Sequence, residues 1–132
     1  MKNGWIFCLF VIISFSGFGQ NSGAFIGWEA QTHNFGEILA GDKVDHIFKF
    51  TNTGREPLII TNIEVTCGCT TPKGWPRDPI PPGGDGEFTI SFNSAGKLGK
   101  VVKVIRVISN ATNANNQVTL EAMITEKKSL PN

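Results

Sequence analysis

From Val44 to Asn52 the apolar positions fall on alternate residues: Val44, His46, Phe48 and Phe50 share one face, while Asp45, Lys49 and Thr51 share the other, and Ile47 alone breaks the order. Side chains of an extended chain alternate between two faces, so this pattern predicts a half-buried strand. Glu87 to Asn93 repeats it more cleanly, with Phe88, Ile90 and Phe92 against Glu87, Thr89, Ser91 and Asn93. Gln117 to Ile124 does so again, with Val118, Leu120, Ala122 and Ile124 on the inner face. Leu58 to Val65 and Val101 to Ile108 are rich in β-branched residues, and the second is apolar enough on both faces to be a central strand.

Turn-forming residues separate these segments at Gly41-Asp42, Asn52-Thr53-Gly54, Gly83 to Gly86 and Ser109 to Asn116. An earlier strand over Phe25 to Gln31 and a short extended piece over His33 to Ile38 bring the expected total to about seven, and no window sustains helical spacing. Parallel neighbours need long crossover connections, which such a chain lacks. The expected fold is therefore all-β, an immunoglobulin-like two-sheet antiparallel sandwich with Phe-rich inner faces filling its core.

One stretch reads differently. Between Cys69 and Gly86 lie Pro72, Pro76, Pro79, Pro81 and Pro82, which fix φ and remove backbone donors, so an ordered but non-repetitive surface crossing is expected there. Trp75 sits within it, either folded back as a lid over the end of the core or exposed, with Pro72 and Pro76, as an aromatic anchor for a partner.

The ends of the chain add a compartment. Lys2 followed by the apolar run Trp5 to Phe18 and the small residues Gly17 and Gly19 reads as a cleavable signal peptide over residues 1–20. About 14 apolar residues fall short of the roughly 20 that span a bilayer, so no stable membrane insertion is expected after cleavage. Cys8 follows Trp5-Ile6-Phe7 rather than small residues, which argues against a lipid anchor. One immunoglobulin-like domain is expected over 21–126, then a tail over 127–132, in a periplasmic or extracellular protein. Removing Lys2 with the leader leaves eleven Lys and Arg against eleven Asp and Glu. That balance supplies no basic excess for phosphates, so a nucleic-acid partner is not expected.

The chain carries no G-x-S-x-G elbow, no H-E-x-x-H pair and no phosphate-binding glycine loop leading into a helix. No cofactor is expected. Chemistry concentrates in Cys67-Gly68-Cys69, the only cysteines beyond the leader. An oxidising compartment favours a disulfide, and Gly68 permits the local turn that closure needs. Three readings stay open: a structural or inert pair, a redox-active pair with Lys73 and Arg77 as the nearby cations, or a copper(I) site of two thiolates. Zinc needs further ligands, and only His33 and His46 remain, the latter on the apolar face of its strand as a core histidine is.

Asn34-Phe35-Gly36-Glu37-Ile38, Gly41, His46 to Gly54, Pro57 to Ile60, Cys67-Gly68-Cys69-Thr70, Pro82-Gly83 and Gly96 to Gly99 together resemble the domain of unknown function 1573 family of secreted bacterial proteins, over about Gln31 to Ile124. The opening half also resembles immunoglobulin-like domains related to sperm-protein and Hydin-type modules. The resemblance implies an immunoglobulin-like sandwich outside the cytoplasm and names no activity. By analogy with Hydin-type domains the expected role is an exported, non-catalytic binding or structural module whose partner is a protein. Thiol-disulfide exchange or copper binding through the cysteine pair are the alternatives.

Overall fold

The computed structural model describes residues 23–113 and 116–126. The expected signal peptide and the 127–132 tail lie outside the described residues. Eight strands follow in order: β1 (Ile26–Trp28), β2 (Thr32–Leu39), β3 (Lys43–Asn52), β4 (Ile60–Val65), β5 (Thr70–Lys73), β6 (Asp85–Asn93), β7 (Gly99–Ser109) and β8 (Gln117–Thr125). No helix occurs among the described residues. The strands form two four-stranded sheets, ordered β1-β3-β6-β5 and β2-β8-β7-β4, as a sandwich requires.

The alternating segments become β3, β6 and β8, and their inward residues meet between the sheets. Phe48, Phe50, Phe88, Ile90 and Phe92 from the first sheet are buried with Ile63, Ile105, Val118, Leu120 and Ile124 from the second. Removing one such side chain from water contributes roughly 2 kcal/mol. Phe48 and Phe88 stack at a tilt with centroids 5.6 Å apart, and Trp28 closes edge-on over Phe88 at 6.0 Å. Ile47, which broke the alternation, points outward and is 47% exposed. The doubly apolar segment is β7, central between β8 and β4.

Three expectations are corrected. The strand read over Phe25 to Gln31 narrows to the three residues of β1, and the chain then changes sheet so that β2 starts at Thr32. The sandwich is not wholly antiparallel, because β2 pairs parallel with β8, from Thr32↔Thr119 to Leu39↔Thr125. That pairing needs no crossover helix, since most of the domain itself connects the two strands. The proline-rich stretch is not wholly irregular either: Thr70–Lys73 adds β5 to the edge of the first sheet through Thr70↔Phe92 and Pro72↔Ile90. Pro72 is tolerated there because an edge strand has one side with no ladder to feed.

The motif Asn34-Phe35-Gly36 also gains a reason. The β2–β8 register slips by one residue between Asn34 and Glu37, a bulge. Gly36 takes φ 72° there, and its N–H donates to Asn34 Oδ1 at 2.8 Å. A side chain with Cβ adopts that φ only at a cost.

Candidate functional site

Two places gather the chemistry-bearing residues. The first is the corner between β4 and β5. These strands belong to different sheets and lie at an edge of each, so the chain crosses from one sheet to the other through residues 66–69. Cys67 and Cys69 are joined there in a disulfide, with Cα atoms 5.4 Å apart. The ring encloses only Gly68, which is exposed with no atom within 4 Å of where a Cβ would sit. Both cysteines are half-buried, and Cys69 packs against the core.

The corner is also held by the backbone. Thr70 donates its N–H (3.4 Å) and its hydroxyl (3.2 Å) to the carbonyl of Cys67, and the Asn93 N–H donates to the carbonyl of Cys69 at 2.8 Å. A depression of about 210 Å³ opens beside it, lined by Lys43, Gly68, Cys69, Thr71, Ser91 and Asn93 among others. The Ser91 hydroxyl oxygen is buried without a hydrogen-bond partner.

The expected cations sit elsewhere. Lys73 belongs to β5 opposite Thr89, and the Arg77 guanidinium lies 4.0 Å over the ring of Trp75. Lys43, not singled out from the sequence, is the cation in the depression with Cys69. Its signal was present only as a register: Lys43 pairs with Asn93, and Asn93 bonds Cys69.

Trp75 is half-buried and packed against the core, and its indole N–H is buried without a partner. This is the packing that a lid has. Arg77 lies over its ring, and Pro76 and, on β5, Pro72 are half-buried.

The second place is an inter-sheet pair that sequence reading did not join. His33 of β2 and His46 of β3 stack face to face, centroids 3.6 Å apart and planes 8° from parallel. Phe35 and Phe48 meet them edge-on, Phe35 at 4.7 Å from His33 and Phe48 at 4.6 Å from His46. Burial holds His46 below the ordinary imidazole range, and repulsion from a charged His33 acts in the same direction. The pair does not gather with the cysteines: among the described residues no group of three or more His, Cys, Asp or Glu is placed to hold a metal ion.

A filled core between two four-stranded sheets, with the chain passing from one sheet to the other, defines an immunoglobulin-like sandwich. The chain belongs to the family described as protein of unknown function (DUF1573), whose pattern matches residues 26–124. No curated protein matches it in sequence. Among solved structures it is similar to a protein of unknown function from Porphyromonas gingivalis, with a TM-score of 0.66 at 17% identity over 83% of this chain and 51% of that one. The ASH/PapD-like domain 7 of human CEP192 gives a TM-score of 0.58 at 11% identity, covering 80% of this chain and 89% of that one. The VesB protease of Vibrio cholerae gives 0.59 at 14% identity over 75% of this chain but only 31% of the protease. The chain thus spans about half or less of the length of the first structures it resembles. These likenesses concern the fold.

Proposed function

We propose that this chain is an exported, non-catalytic module that binds another protein through the end of the sandwich carrying the Cys67–Cys69 corner and the loop up to Pro82. The observation that carries this reading is the meeting of β4 and β5 at the corner, each an edge strand with one side unpaired within its sheet. An extended segment can add to such an edge by backbone hydrogen bonding. Beside it, the proline-rich loop is held to a limited set of shapes by Pro72, Pro76 and the Leu58–Ile80 bridge, so a partner meets it with little ordering cost. The stacked Trp75 and Arg77 place the two side-chain types most often found at energetic centres of interfaces side by side. Export is supported by the leader and by the disulfide, a bond that persists in oxidising compartments.

The test is cross-linking in the native envelope from a photoreactive residue placed at exposed Lys73, with the mature protein's intact mass measured alongside. A protein adduct that is weakened by replacing the exposed Arg77 with alanine at unchanged strand spectrum, and a mature chain beginning at Gln20 or Asn21, are expected. An adduct indifferent to Arg77 moves the contact surface to another sheet edge, and a chain that retains Met1 overturns export.

A further inference from the structure

We propose that Cys67-Gly68-Cys69 is a reversible dithiol–disulfide site that exchanges with the dithiol of a partner protein, attacked at Cys69 from the depression shared with Lys43. This exchange lies at the corner already proposed to bind a protein and goes beyond that reading, and its test with glutathione needs no protein partner. The first support is that hydrogen bonds hold the corner alongside the bond. Thr70 closes the turn onto the Cys67 carbonyl by two contacts, and Asn93 holds Cys69 on the first sheet. None of these involves sulfur, so the two side chains stay juxtaposed when the disulfide opens. A bond across a single residue removes little chain entropy from the unfolded state, so its loss destabilises little.

The second support is access and electrostatics. Gly68 and Cys69 line the depression, so an incoming thiolate seated in it meets the Cys69 side of the bond. Lys43 of β3 pairs with Asn93 of β6, Asn93 bonds Cys69 just before β5, and Lys43 and Cys69 line the same depression about two strand spacings, roughly 10 Å, apart at the backbone. A nearby ammonium favours the thiolate, which is the reacting form.

The chemistry balances. A partner thiolate attacks Cys69 Sγ, forming a new S–S bond, while the Cys67–Cys69 bond breaks and its electron pair leaves on Cys67, which takes up a proton. The partner's second thiolate then attacks the partner's own sulfur in the mixed disulfide and releases Cys69 as a thiolate. The corner ends reduced by two electrons and the partner ends as a disulfide; run backwards, a partner disulfide reoxidises the corner.

The probe is glutathione, in buffers of defined reduced-to-oxidised ratio, with the mature chain acid-quenched, alkylated and weighed. The wild-type corner is expected to shift between dithiol and disulfide across the series while the strand spectrum stays unchanged. Oxidised glutathione should add to Cys69 in Cys67→Ser at least several-fold faster than to Cys67 in Cys69→Ser, and Lys43→Gln should slow the former at low salt. A disulfide that opens only in denaturant, a sandwich that melts when the bond is reduced, or faster addition at Cys67 would each overturn the proposal. The wild-type titration decides the main point even where a variant folds poorly.

Discussion

The side-chain amide of Asn52 donates to the carbonyl of Ile80 at 3.0 Å, joining the end of β3 to the far end of the proline-rich loop. The same nitrogen donates to the Glu56 carbonyl at 2.7 Å, and its oxygen accepts from the N–H groups of Phe25 (3.3 Å) and Gly54 (3.0 Å). Asn52 is wholly buried, and its backbone adds bonds to Gly83 and Gly84. One side chain thus satisfies four backbone groups, from two connecting segments and the residue before β1.

Asn52→Ala should therefore destabilise the domain by about 3 kcal/mol or more, because it strands buried donors and acceptors as well as losing its own bonds. Urea unfolding measures this. Asn52→Asp keeps the shape but aims an oxygen at the carbonyls of Glu56 and Ile80. Its carboxyl should titrate above the unfolded value, so the deficit should shrink as pH falls toward about 4, where the protonated acid donates. A deficit independent of pH would show that the loops rearrange around it.

Gly54 stands where a Cβ would meet backbone, with the amide nitrogen of Phe25 at 2.6 Å and the Gly23 carbonyl nearer still. Backbone cannot swing aside as a side chain can, so Gly54→Ala should cost about 2 kcal/mol or more. A thermal shift under a degree would contradict this close approach.

The His33–His46 stack predicts a pH dependence. The folded pKa of His46 lies below its ordinary 6.5, so the folded state prefers the neutral ring. The contribution is complete above about 6.5 and is lost as pH falls from there toward the lowered value. Among the described residues, Lys103 shares a row with Leu120 and His33, and Glu29 and Lys49 line the depression beside His46. Melting temperature should fall between about pH 6.5 and 5 in the wild type and fall less in His46→Gln. Equal slopes in both proteins would place the dependence on other groups.

Replacing both Cys67 and Cys69 by serine should leave the protein folded, with a loss of no more than about 2 kcal/mol, because the closed loop spans one residue and Thr70 and Asn93 hold the turn. Calorimetry of the double variant checks this. Collapse would reveal a packing role for Cys69 larger than its half-buried setting indicates.

The strands with clean alternation were legible because period two reports which face a residue occupies. Which sheet a strand joins is decided by contacts far apart in sequence. That is why Val44 to Phe50 could be read as β3 while the stacking of His33 on His46 could not: His46 showed an inward face, and nothing local placed His33 opposite it. The same holds for β5, whose four residues carry a proline and no alternation, and for Asn52, which local reading assigned to a turn. The cysteine pair was visible as a pair. Its place at a crossing between sheets, beside Lys43, required the registers of β3, β6 and β5.

Pulled by its two ends, this domain would first peel the short β1 from β3, one hydrogen bond after another. The load then reaches β2 and β8, which run side by side in the same direction, so the tugged ends, near Thr32 and Thr125, lie at opposite ends of the shared ladder. Force there acts along the strands and shears them. The bonds of that ladder, with the flanking Thr119 to Gln31 (2.7 Å) and Ala40 to Thr125 (2.9 Å) contacts, must give way together rather than in turn. Once β1 has peeled, a tether built from such a domain keeps its length until that whole row breaks.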